Sequence, residues 1–311
     1  MGKTVIIADS AVDLNSSLRE SFGIADYVHG IVVRPDGSQF LADDDWGNMT
    51  PEDYFSSMAR GKCLYKSATC SASEVDEVFK KHLAQGEDIL GITIGSAFSG
   101  MNNLFSASAK RLQPQFPERK IMVVDSCRYS GAYALLCLRA HELLSEGHSL
   151  EETVEDLEAN KNRIHQMGPL DDLFFLNRSG RVSKTIAVMG TMVGIRPLAD
   201  FQSNGFCQPL GKVKGMNHAL DVSTEYVKRS IADPANATII VAHSFRHDEA
   251  ERFVNLLKEK VNPKAIYLTS IGQISGANVG PGLVAAFYFG APISEKNQAE
   301  TALLESIIKG N

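Results

Sequence analysis

Hydroxyl and glycine residues crowd into one short turn, Thr93-Ile94-Gly95-Ser96-Ala97-Phe98-Ser99-Gly100, directly after the apolar run Ile89-Leu90-Gly91-Ile92. The segment that follows, Met101 to Arg111, is rich in Ala, Leu and basic residues and reads as a helix. A strand end thus opens onto a helix N-terminus, where unpaired backbone N–H groups and the positive end of the dipole attract an anion. The same small residues also suit a plain strand-to-helix connection capped by Ser or Thr, so the turn by itself leaves architecture and site both open. Two other strand-like runs end in similar clusters, Asp9-Ser10 and Asp125-Ser126-Cys127-Arg128. For these aspartates N-capping competes with chemistry, because no histidine or second carboxylate lies close in sequence to complete a metal or general-base site.

The elements that must position these residues alternate. Strand signals at Thr4 to Ala8, Asp26 to Val33, Ile89 to Ile94 and Lys120 to Asp125 are separated by helix signals: a short one ending at Phe22, then Tyr54 to Arg60, Ser73 to Gln85, Met101 to Arg111 and Ser130 to Ser145. Thr50-Pro51-Glu52-Asp53 is a capping box with proline at the first helical position. Such alternation predicts a parallel sheet covered on both faces, with ligands collecting at the carboxyl ends of its strands. Ser149 caps a further helix expected to run to about Met167, near which the composition changes. Beyond it the expectations are a strand at Phe174 to Leu176, a tight turn at Asn177 to Arg181 and a helix at Thr185 to Val193. A hairpin through Asn204-Gly205 follows, then strands at Thr238 to Ala242 and Ile266 to Ile271 and an apolar stretch ending at Phe289. The fold class is therefore α/β in two domains: residues 1–160 with a three-layer parallel sheet, and residues 161–311 with a mixed sheet, the C-terminal helix being free to pack back on the first.

Composition bounds the function. At 311 residues, 44% apolar and 22% charged, the chain reads as globular and large enough for two cores. A net charge of −6 without a dense basic run argues against nucleic acid. No apolar run reaches the ~18 residues of a membrane span, and the start, with Asp9 after a short apolar run, does not read as a signal peptide. Five cysteines without C-x-x-C spacing predict reduced thiols in a cytoplasmic setting, and neither a metal nor a cofactor is expected.

Read in order, the Asp9-Ser10 strand end, Ser67-Ala68-Thr69-Cys70-Ser71, Gly95 to Gly100, Val124-Asp125-Ser126, Leu176 to Arg181, Ile195-Arg196-Pro197 and Asn278-Val279-Gly280-Pro281-Gly282 resemble the DegV family over nearly the whole chain. The resemblance implies a protein that holds one long-chain fatty acid between its two domains. It also implies a separate ATP-using fatty acid kinase, to which the acid's carboxyl group is presented for acyl-phosphate formation in phospholipid synthesis. On the family pattern the carboxylate seat falls on Ser67, Thr69, Gly95, Ser96, Arg181 and Asn278. Hydroxyls and helix-start N–H groups suit this, since a carboxylate leaving water needs several donors. The acyl chain would need an apolar tunnel, with Ala187, Val188, Met189, Thr191, Met192, Val193, Leu283 and Phe287 as candidates and ordinary core packing as their alternative role.

This chain departs from the family pattern at Ala68, Cys70, Gly95 and Asn278, the last in place of a histidine, and at Gly215 in Lys212-Val213-Lys214-Gly215. Hydroxyls are missing at two of the turns, Asn278 lacks the charge a histidine can carry, and the Lys212 segment loses an arginine and a threonine, so the seat is expected to be less charged than usual. The competing class is an enzyme, a hydrolase or phosphotransferase acting on a small anionic substrate in the same interdomain cleft. Against it, Ile94 to Phe98 lacks the second glycine of a G-x-S-x-G elbow, and the eight histidines, His218 and His243 among them, fall outside the recognised turns.

Overall fold

The computed structural model describes residues 3–59, 63–171, 173–180 and 194–310. Its first half contains β1 (Thr4–Asp9), α1 (Ser16–Ser21), β2 (Ile24–Val28), β3 (Ile31–Val33), β4 (Gln39–Leu41), α2 (Pro51–Ala59), β5 (Lys66–Ala68), α3 (Ala72–Leu83), β6 (Asp88–Thr93), α4 (Met101–Leu112), β7 (Ile121–Asp125) and α5 (Ser130–Ser145). Strands β2-β1-β6-β7 form an all-parallel sheet in that order. Every residue of β6 and nearly every residue of β1 is buried, as a sheet covered on both faces requires. The anticipated single strand at 26–33 is instead two strands in different sheets. Gly30 allows the break: its N–H bonds Ser10 Oγ at 2.8 Å, and a Cβ there would lie 2.6 Å from the Ile274 side chain. Strand β3 then pairs with β4 and β5 in a small antiparallel sheet that carries Ser67.

The second half contains α6 (Leu150–Asn160), β8 (Ile164–Met167), α7 (Phe174–Ser179), β9 (Ile195–Phe201), β10 (Cys207–Lys214), α8 (Met216–Ser230), β11 (Thr238–His243), α9 (His247–Lys260), β12 (Ala265–Ser270), α10 (Gln273–Val279), β13 (Val284–Phe289) and α11 (Gln298–Ile308). Its mixed sheet runs β12-β11-β13-β8, with β11 and β12 parallel and the other pairs antiparallel; β9 and β10 form a separate hairpin. The helix begun at Ser149 stops at Asn160 rather than near Met167. Residues 164–167 are all buried and pair with β13, which outweighs local helix pattern. Phe174 to Leu176 is helical, not a strand: α7 is closed by Gly180 at φ 69°, and Phe175 packs where a side chain on Gly280 would sit. Gly276 lies in the interior of α10. Helix α11 packs on α8 and β10, within the second half.

Helix α5 joins the two halves. Residues 130–137 are all buried, and the helix packs on β1 and β6 on one side and on β8, β11 and β13 on the other. Gly131 lets Phe287 and Ile240 approach within 3 Å of where its Cβ would be, while Tyr133 on the same helix bonds the backbone of Asp9 and Ile92. One apolar core consequently runs through both sheets.

Candidate functional site

The carboxyl ends of β1 and β6 face α10 and the Ser67 strand across a cavity of about 430 Å³, within the usual range for a small-molecule site. Ser67, Thr69, Ser96 and Asn278 all line it, brought together from three separate segments: β5 and the residue after it, the turn after β6, and α10. Its mouth is hydroxyl-rich, with Ser96 exposed at the rim, and its floor holds Asp9, Ser10, Ile94, Tyr129 and Cys207. Among the described lining residues none is lysine, arginine or histidine.

The hydrogen bonds of Asn278 do not run to the Gly95–Gly100 turn. Its amide nitrogen donates to Ser67 Oγ and to Ile274 O, both at 2.9 Å. A carbonyl only accepts, so the atom facing Ile274 must be the nitrogen, and Ser67 Oγ must therefore accept. Among the described residues no acceptor takes the Ser67 proton, which leaves it available to a ligand oxygen. Thr69 stands opposite Gly100, its methyl group 3.8 Å from the position of a Cβ there.

The turn's own donors are mostly committed. Ile94 N–H bonds Asp9 Oδ2 at 2.8 Å, Gly95 N–H bonds Arg128 O at 2.8 Å, and Ser96 N–H bonds the Asp125 carboxylate at 3.1 Å. Gly95 lies behind the cavity wall: a Cβ on it would meet the Cys127 and Arg128 backbone at 2.8–2.9 Å, so a second serine has no room. Asp125 also takes Cys127 N–H at 2.9 Å and acts as a brace for the turn. Among the described residues, the N–H groups of Ala97 and Gly100 keep no partner, and they stand beside the orphan donors that open α4. The donors that the mouth of the cavity offers are thus the Ser96 hydroxyl, these N–H groups, Ser67 and Thr69.

Asp9 is the acidic group of the floor. Both its oxygens accept backbone N–H bonds, from Ala11 and Ile94, yet burial dominates and pushes its pKa up to about 6. Tyr129 and Cys207 are held neutral, the thiol pushed up to about 11 chiefly by burial.

Past Tyr129 and Cys207 lies a second, apolar pocket of about 40 Å³ walled by Leu170, Leu173, Pro197 and Leu283 among others, and sharing Tyr129, Leu176, Cys207 and Val279 with the first. Leu283 sits in this pocket, whereas Phe287 is wholly buried on β13 behind Tyr129, with ring centroids 6.2 Å apart, and lines neither cavity. Arg181, Ala187, Val188, Met189, Thr191, Met192 and Val193 lie outside the described residues. Tyr129, Gln166, Leu176 and Cys207 were missed from the sequence. Tyr129 carried a signal in its position after the polar Asp125 to Arg128 strand end, and Leu176 in opening the Leu176 to Arg181 motif; Gln166 and Cys207 carried none.

Fold and site together define a two-sheet α/β protein with a hydroxyl-mouthed cavity at the strand ends. The chain belongs to the DegV family: residues 3–291 match the family model described as "Uncharacterised protein, DegV family". A DegV domain-containing protein of Clostridium perfringens is 28% identical over 290 residues, covering 93% of this chain and 98% of that one. One from Streptococcus pyogenes is 27% identical over 285 residues, covering 92% and 97%. Among solved structures, a Thermus thermophilus DegV family protein described by its fatty acid binding superposes with a TM-score of 0.81 at 22% identity, over 93% of this chain and 99% of that one. Bacillus subtilis DegV, described as a fatty acid binding protein, gives 0.78 at 20% identity over 93% and 100%.

Proposed function

We propose that this protein binds one long-chain fatty acid, with the carboxylate at Ser67, Thr69, Ser96 and the Ala97 and Gly100 N–H groups, and with the acyl chain directed past Tyr129 and Cys207. The observation that carries this reading is the polarity gradient across two adjoining cavities that share Tyr129, Leu176, Cys207 and Val279, from a hydroxyl-rich mouth to a pocket walled by Leu170, Leu173, Pro197 and Leu283. Related DegV structures from Thermus thermophilus and Bacillus subtilis, described as fatty acid binders, support it. A monocarboxylate with a long apolar tail is the ligand whose two ends match the two ends of that gradient.

On this reading the protein is a cytoplasmic, non-catalytic carrier that presents the carboxyl group at the exposed Ser96 rim to a separate ATP-dependent fatty acid kinase, which forms the acyl-phosphate. The titratable side chains among the described lining residues of the larger cavity are Asp9, Tyr129 and Cys207, each already hydrogen-bonded, and no observation favours a hydrolase or phosphotransferase over a carrier. Mass spectrometry of lipid extracted from the purified protein tests the reading. A fatty acid near one per chain is expected; absence of any acyl lipid, with no thermal stabilisation on adding one, would reject it.

A further inference from the structure

The junction between the two cavities is bounded by Tyr129, Leu176, Cys207 and Val279. Three polar side chains meet there from three distant elements. Tyr129 precedes α5, Gln166 lies on β8 and Cys207 opens β10. Tyr129 Oη donates to Gln166 Oε1 at 2.5 Å, Gln166 Nε2 donates to Cys207 Sγ at 3.0 Å, and Cys207 Sγ stands 3.0 Å from Tyr129 Oη. The phenol has a single proton, already given to Gln166, so the thiol proton completes a closed ring of three bonds. Every heteroatom of the ring has its partner inside it.

The ring is held from behind. Gln166 N–H bonds Asp200 Oδ1 at 2.8 Å, fixing the backbone of β8 at that point. The Tyr129 aromatic ring packs edge-on against Phe98 and Phe201 at centroid distances of 5.2 and 5.1 Å. Loosening the junction would break the ring and leave buried polar atoms unpaired.

We infer that the Tyr129–Gln166–Cys207 ring, closed on itself, is the rigid wall of a collar completed by Leu176 and Val279, and that this collar determines how far an acyl chain reaches into the apolar pocket, and hence the chain length this protein prefers. The inference rests on the fatty-acid reading of the cavity. The pocket beyond the collar is about 40 Å³, room for only the last few carbons of a chain. Each further buried methylene is worth roughly fourfold in affinity while space remains, and one methylene too many forces strain instead. The collar's width and the pocket behind it therefore set an optimum rather than a steady rise with length. The ring stays uncharged at neutral pH, because burial raises the pKa of both the Tyr129 phenol and the Cys207 thiol.

The experiment is a binding series of straight-chain saturated fatty acids of increasing length against the full chain and three variants at Cys207. Cys207→Ala removes the sulfur and opens the collar, so the optimum is expected to move to longer chains. Cys207→Met fills the junction and moves it to shorter ones. Cys207→Ser keeps both the size and a hydrogen-bonding atom, and leaves the optimum in place. A general packing defect would weaken all lengths alike without moving the optimum. An unchanged optimum in the Ala and Met variants, or a shift in the same direction for both, overturns the collar while leaving fatty-acid binding intact. Failure of the unsubstituted protein to bind any length overturns the fatty-acid reading itself, and the collar with it.

Discussion

The Asn278 amide donates to Ser67 Oγ at 2.9 Å across 211 residues of sequence, and in doing so turns the serine's own proton toward the cavity. Asn278, at the position where the family resemblance implies a histidine, is thus a positioning group for a hydroxyl. Ser67→Ala removes a donor to a carboxylate, a bond worth about 1.5–3 kcal/mol, so fatty-acid affinity should fall roughly 10- to 100-fold. Calorimetric titration of the stripped protein measures it, and an affinity within twofold of the original would remove Ser67 from the seat.

Asn278→His should introduce pH dependence that the original protein lacks at this position. An imidazole near the ligand carboxylate gains charge as pH falls through about 6.5. Binding should therefore tighten at pH 6 relative to pH 8 in the variant, compared with the same pair of measurements on the original. Parallel curves for the two proteins would show that position 278 does not sense the ligand's charge.

Gly95 answers to the Cys127-Arg128 backbone, not to the ligand. Gly95→Ser places a Cβ 2.8–2.9 Å from that main chain, so both strand ends must shift. Overpacking of this kind costs about 1–3 kcal/mol, or roughly 2–4 °C of melting temperature for each kcal/mol. A melting temperature equal to that of the original protein would count against the close approach.

The buried carboxylates beneath the site predict a slope of stability with pH. Asp13 and Asp44 both face Gly272, and neither Asp44 oxygen has a hydrogen-bond partner among the described residues. Burial first, and then their mutual repulsion together with Asp9 and Asp43, holds the Asp44 pKa well above 3.8 in spite of Arg19. Asp9 is likewise raised, to about 6. The folded state then binds more protons than the unfolded chain above pH 3.8, so stability falls as pH rises to about 6 and beyond for the coupled pair. Asp44→Asn keeps the shape and removes a charge. It should flatten this slope and raise the melting temperature at pH 8, whereas destabilisation at pH 8 would show that Asp44 is paired.

His165 adds a second slope at higher pH. Its Nδ1 meets Asp200 Oδ2 at 2.6 Å and its Nε2 meets Ala291 O at 2.8 Å, so both ring nitrogens face acceptors. Burial, the largest single influence, opposes the charged ring, but Asp200, the Ala291 carbonyl and Glu300 together raise the pKa above 6.5. That stability is complete below 6.5 and is lost as pH rises through the raised value. Asp200→Asn breaks a buried pair, a change of about 3–5 kcal/mol. It should abolish the slope above pH 6.5 while leaving the lower one, and a persisting upper slope would assign it elsewhere.

Much of the architecture was legible because local physics suffices for it. The strand-turn-helix from Ile89 through Gly100 to Leu112 and the helix Ser130–Ser145 follow from apolar run length, helix formers and small turn residues, and they stand where the sequence placed them. The family motifs likewise pointed to Ser67, Thr69, Ser96 and Asn278 as one group. What misled was context. Ile164–Met167 continues a helical pattern but is captured by β13, and Phe174–Leu176 has strand composition but is helical in α7. Propensity is worth fractions of a kcal/mol per residue, less than tertiary pairing and burial decide.

Chain chemistry alone therefore determined the α/β class, the parallel first sheet and the hydroxyl character of the mouth, because each depends on periodicity or on residues adjacent in sequence. Only the tertiary structure decided which donors are free. Asp125 and Arg128 occupy the N–H groups of Ser96 and Gly95, Asn278 turns to Ser67, and Tyr129, Gln166 and Cys207 close on one another. A donor's availability depends on partners tens to hundreds of residues away, and no local pattern encodes that pairing.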